Sequence, residues 1–140
     1  MTVCEHKDVI IACSSGNDNN TAISVIRISG SFTLSDFEEV FSLSLKNVDS
    51  RVVYRSELVF SNESIDDIML VFFKGPKSYT GENLLELYCH GNRLNVDRII
   101  DLFISKFDFI RHSRPGEFTL QALKNKKLSL PQVEGLDLLL

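Results

Sequence analysis

Apolar residues recur along the chain in two rhythms, a period of two and a period near 3.6, and the alternation between them sets out the elements. The compact run Val9–Cys13 (VIIAC) reads as a buried strand, and the Ser, Gly, Asn and Asp residues of 14–20 that follow it read as a loop. Residues 21–30 (TAISVIRISG) alternate as a second strand, with Ile23, Val25, Arg27 and Ser29 on one face and Ala22, Ser24, Ile26 and Ile28 on the other. Strands are also predicted over 51–60 (RVVYRSELVF) and 67–73 (DIMLVFF), joined by a polar loop at 61–66 (SNESID). The stretch 75–91 (GPKSYTGENLLELYCHG) opens on a Gly-Pro turn and passes a second turn at Thr80-Gly81. It then becomes a short buried strand ending at His90-Gly91.

Helical spacing appears elsewhere. Ser35-Asp36-Phe37-Glu38 has the form of a capping box ahead of Phe37, Val40 and Phe41, predicting a short amphipathic helix. In 92–105, Val96, Ile99, Ile100 and Phe103 form one helical face behind an Asn92 cap. A short strand is expected over 107–110, a helix over 117–124 with Pro115 near its start, and a last helix over 129–140. That last helix ends on three leucines without a cap or polar tail, so the chain is expected to be a fragment or to have this end covered by a partner. These elements predict an α+β fold, a mixed, largely antiparallel sheet with flanking helices.

Composition narrows the picture modestly. The 140 residues are 44% hydrophobic and 24% charged, enough for one domain with a real core. A net charge of −4 argues against a broad grip on a nucleic-acid backbone, although Lys124, Lys126 and Lys127 make a local basic patch. Cys4, Cys13 and Cys89 are dispersed and match neither a zinc site nor a disulfide framework. No run approaches the ~20 apolar residues of a membrane span, and the N-terminus does not fit a secretory signal, so a cytoplasmic protein is expected.

Phosphate-loop, hydrolase-elbow, zinc-protease and dinucleotide motifs are missing from the sequence. What stands out is polar chemistry inside apolar segments: Arg27 in the second strand, Glu86 among Leu84, Leu85, Leu87 and Tyr88, and the Lys126-Lys127 pair before Leu128. A buried carboxylate needs a partner. Glu86 and Arg27 could pair as a structural salt bridge, or hold a heterocycle that offers amino and ring N–H groups, with a lysine nearby for a carboxylate tail. Spacing leaves both open. His90 is a candidate acid or base without a placed partner, and Cys89 reads as a core thiol.

VIRISG (25–30), FKGPKSYTGENLLELYCHG (73–91), SRPGEFT (113–119) and KNKKLSLPQVEG (124–135) occur in an order that resembles the N-terminal domain of the tRNA modification GTPase family MnmE, also called TrmE. The resemblance implies a domain over 1–127, similar to the folate-binding domain of the glycine-cleavage T protein, and over 128–140 the start of a truncated helical domain. It implies a homodimer that binds a reduced folate, 5-formyltetrahydrofolate or 5,10-methylenetetrahydrofolate, as one-carbon donor for tRNA wobble-uridine modification. By motif, Glu86 anchors the pterin while Arg27 and Lys127 help hold the folate; no catalytic residue and no metal are implied. An MnmG-like flavoprotein is the expected partner, tRNA is engaged through the full-length assembly, and the GTPase part lies outside this chain. Four places depart from the family pattern: the loop CSSGNDNNT replaces a TPPGRGG-like one, the HGG turn reads His90-Gly91-Asn92, Leu120-Gln121 replaces a Glu-Arg pair, and Ser129 replaces an Asp. The alternative is a structural dimerisation module that has lost folate binding.

Overall fold

A computed structural model describes residues 8–14 and 22–126. Its strands are β1 (Val9–Cys13), β2 (Ile23–Gly30), β3 (Val53–Phe60), β4 (Glu63–Phe73), β5 (Asn83–His90) and β6 (Ile110–His112), with helices α1 (Arg93–Lys106) and α2 (Glu117–Lys124). They form one six-stranded sheet in the order β3-β4-β5-β2-β1-β6. Neighbours run antiparallel, except that β6 lies parallel to β1. The expected mixed, largely antiparallel α+β architecture is therefore what forms.

The two faces of the sheet have different fates. Alternate residues of the inner strands (Ile11, Ile26, Ile28, Leu85, Leu87) join α1's Val96, Ile99, Ile100 and Phe103 in the main core. Burying such an aliphatic and aromatic set is the chief stabilising contribution, about 1.5–3 kcal/mol for each large side chain. Ile10, Ser29, Val71, Leu84 and Glu86 are buried too, but outside that core cluster. They occupy the opposite face, part of which is covered by α2 and the 74–82 loop.

Three expectations change. The polar segment 61–66 is mostly strand, because Ser61 (φ 53°) and Asn62 (φ 61°) alone make the turn and β4 starts at Glu63. Positive φ at both central residues is what a tight hairpin with matching strand twist requires. The amphipathic helix shrinks to a 3-10 segment, Leu34–Val40, whose cap lies earlier than Ser35: the Thr33 amide donates to the Asp36 carboxylate at 2.8 Å. Phe41 is extended there and bridges to Leu58 on β3. The strand placed at 107–110 begins only at Ile110. Phe107 instead ends α1, its amide donating to Phe103, and both Phe107 and Phe109 turn their rings toward Phe37. The helix expected over 129–140, with the 128–140 segment as a whole, lies outside the described residues.

Candidate functional site

β2 and β5 pair antiparallel in a register that sets Arg27 directly opposite Glu86. Both belong to the face away from α1, near the middle of the sheet. Arg27 Nε donates to Glu86 Oε2 at 2.8 Å, with the glutamate side chain 9% exposed and the arginine side chain 34% exposed. Two residues along the same strand face, the Tyr88 hydroxyl donates to Glu86 Oε1 at 2.5 Å. Burial, then the bond to Glu86, pushes the Tyr88 phenol up to about 12, so it stays a donor at any ordinary pH. Each carboxylate oxygen thus accepts one protein hydrogen bond. A carboxylate has about four acceptor sites, so capacity remains for a ligand's N–H groups.

An open cavity of about 580 Å³ lies over this pair, in the size range of small-molecule sites. Phe73 and Leu84 supply apolar lining, Tyr79 and Ser78 come from the overlying loop, and Arg51 and Lys77 complete it. The loop is held by α2. Asn125 Nδ2 donates to Thr80 O at 2.9 Å and to Glu82 Oε2 at 2.7 Å, and the Tyr79 and Thr119 hydroxyls meet at 3.2 Å. Beneath them the buried Ser29 hydroxyl donates to Gln121 Oε1 at 2.7 Å and meets the Thr80 hydroxyl at 2.8 Å. Gly81 makes this closeness possible: its φ is 79°, and a Cβ there would sit 2.5 Å from Asn125 Cβ.

Of the residues expected from sequence, Arg27 and Glu86 meet, and Lys127 lies outside the described residues. Tyr88 was missed as a partner, although its two-residue spacing from Glu86 was a readable signal. His90 does have a partner. Its ring Nδ1 lies 2.5 Å from Asp66 Oδ1, and its amide donates to Asp66 Oδ2 at 3.0 Å. Asn95, in the first turn of α1, also donates to Asp66 at 2.9 Å. Burial opposes ionisation of Asp66, but the His90 amide, Asn95 and the His90 ring outweigh it and hold the carboxyl below its usual range. Nothing in the local sequence marked Asp66. It reaches His90 because β4 pairs with β5 in a register that sets Met69 opposite Tyr88, which brings the preceding β4 residues alongside His90. Cys89 is a core thiol as expected, 3% exposed and pushed up to about 12 by burial.

The family model for the GTP-binding protein TrmE N-terminus matches residues 9–127. The chain belongs to this family. The tRNA modification GTPase MnmE of Clostridioides difficile (strain 630) is 36% identical over 132 residues, covering 91% of this chain and 28% of the relative. MnmE of Cytophaga hutchinsonii is 35% identical over 135 residues, covering 96% and 29%. MnmE of Flavobacterium johnsoniae is 37% identical over 135 residues, covering 93% and 28%. The chain therefore spans between a quarter and a third of the length of these curated relatives. In this TrmE N-terminal domain, Gln121 anchors α2 to Ser29 beside the cavity. No described helix is long and apolar enough to cross a membrane.

Proposed function

We propose that this domain binds a reduced folate, 5-formyl- or 5,10-methylenetetrahydrofolate, as the one-carbon donor in tRNA wobble-uridine modification. The observation that carries the reading is Glu86, a nearly buried carboxylate with spare acceptor capacity in a partly apolar cavity. A pterin presents adjacent amino and ring N–H donors, the pattern such a carboxylate accepts. Arg27 orients Glu86 through Nε, and among the described residues the terminal nitrogens of its guanidinium have no protein partner, leaving them to a ligand carbonyl. Lys127 is assigned to the folate by its motif alone. Bound folate would supply the one-carbon unit; the residues of this chain bind and orient it.

The same reading makes the domain a homodimer. Ile23, Val53 and Met69 are 62%, 60% and 52% exposed, an amount of bare apolar surface on the sheet that a second copy would cover. Since the relatives are named tRNA modification GTPases and this chain matches only their N-terminal part, GTP hydrolysis, tRNA engagement and an MnmG-like flavoprotein partner belong to the larger assembly, which would work in the cytoplasm. If Arg27 and Glu86 serve only each other, the domain is a structural dimerisation module.

Calorimetric titration of the chain with 5-formyltetrahydrofolate, beside Glu86→Ala, decides between them. Micromolar binding by the wild type and a loss of about tenfold or more in the variant is the expected result, since a hydrogen bond to a charged group contributes about 1.5–3 kcal/mol. A folded wild type that binds no folate leaves the structural module.

A further inference from the structure

The cavity over Glu86 runs from a buried floor to an exposed, positively charged rim. Arg27 and Glu86 cancel, which leaves Arg51 and Lys77 as two uncompensated cations among the lining residues of a chain whose net charge is −4. Among the described residues neither is within salt-bridge distance of a carboxylate, whereas Arg55 pairs with Asp67 and Arg111 with Asp8 and Glu117.

Arg51 is also held in place. It precedes β3 with φ 69°, a left-handed conformation that residues other than Gly, Asn and Asp rarely adopt. Its amide donates to Phe72 O at 2.7 Å, which ties this turn to the end of β4. The guanidinium lies 5.2 Å from the centroid of the Phe73 ring, and Nη1 donates to Lys77 O at 3.0 Å. One N–H of five is thereby used, and the contact brings the Lys77 segment alongside. An arginine stacked on an aromatic ring with most donors unspent is pre-organised for a planar anion.

We propose that Arg51 and Lys77 form an anion subsite that takes the glutamate-type, dicarboxylate end of the ligand whose ring end is read by Glu86. The guanidinium fork takes one carboxylate in bidentate fashion, and the Lys77 ammonium takes the other as a point charge. The identity of the ligand rests on the folate reading; the charge of the subsite does not.

The test compares the wild type with Lys77→Gln, Arg51→Gln and the double variant. The ligands are 5-formyltetrahydrofolate, a reduced pterin lacking the tail, and the tail-only probe 4-aminobenzoylglutamate. Each charge removed is expected to weaken the tailed ligand about two- to fivefold and to flatten its salt dependence. The tail-less pterin binds all four proteins alike. Because the Lys77 side chain makes no hydrogen bond or ion pair among the described residues, its variant reports on the subsite even if Arg51→Gln perturbs the fold. Unchanged affinity for the tailed ligand in Lys77→Gln and the double variant overturns the subsite while leaving the folate reading intact. Equal binding of the tail probe and of 5-formyltetrahydrofolate, lost in the double variant, with no binding of the tail-less pterin overturns the folate reading and keeps the subsite. A wild type that takes none of the three overturns both.

Discussion

Glu117 is tied down more firmly than a residue at the start of a short helix needs to be. It accepts from Arg111 Nη1 at 2.8 Å and from the Arg114 amide at 2.7 Å, while Arg111 also reaches Asp8 at 3.1 Å. The Arg111 bonds, opposed by partial burial and helped by the Arg114 amide, pull the Glu117 carboxyl down to about 2. A folded-state value below the unfolded one means stability that is present above the unfolded value and lost as pH falls through the folded one. The window therefore runs from about 4.5 down to about 2. Discounted for solvent screening, about 1–2 kcal/mol should disappear across it. Urea titrations at successive pH values should show that loss in the wild type and a flatter profile in Glu117→Gln. The SRPGEF segment was legible as a turn into a helix through Pro115. Its clamp onto Arg111 was not, because the partner comes from a strand whose start the sequence placed too early.

Among the elements, the 3-10 segment Leu34–Val40 matters more than its length implies. Phe37 is fully buried, its ring centroid 5.1 Å from Phe32, 5.0 Å from Phe107 and 5.9 Å from Phe103. Edge-on and tilted ring pairs of this kind add to area burial. Phe37→Ala should cost about 3–5 kcal/mol and Phe37→Leu clearly less, read from the midpoints of urea unfolding. The periodicity at Phe37, Val40 and Phe41 announced a buried face here but not its form, since Phe41 is drawn into a bridge with Leu58. α1 was legible in full, because Asn92 caps it and one stripe carries its burial. The start of β4 was hidden by polar residues that remain exposed at Glu63 and Ser64, where hairpin geometry rather than burial makes the strand.

At the scale of the molecule, the described residues divide the outer sheet face between a part roofed by α2 and its loop and a part where Ile23 and Met69 are exposed. Sedimentation should find a dimer in the wild type, and Ile23→Asp with Met69→Glu should shift it to monomer with unchanged circular dichroism. A monomeric wild type would contradict the proposed assembly. Arg27 and Glu86 were legible as misplaced polar groups, each in its own strand. Their pairing was legible only as one of two open readings, because strands distant in sequence reveal their register only through the completed sheet.

That pairing has a further consequence. Arg27 and Glu86 are 59 residues apart and lie on the paired central strands β2 and β5, with β4 flanking one side and β1 the other. No fraying of an edge strand parts their backbones; only separating β2 from β5 does, and that divides the sheet in two. Loss of this backbone pairing and global unfolding are then one event. A ligand held there would slow amide hydrogen exchange across the whole sheet together, by a factor of 1 + [L]/Kd, instead of protecting a local patch.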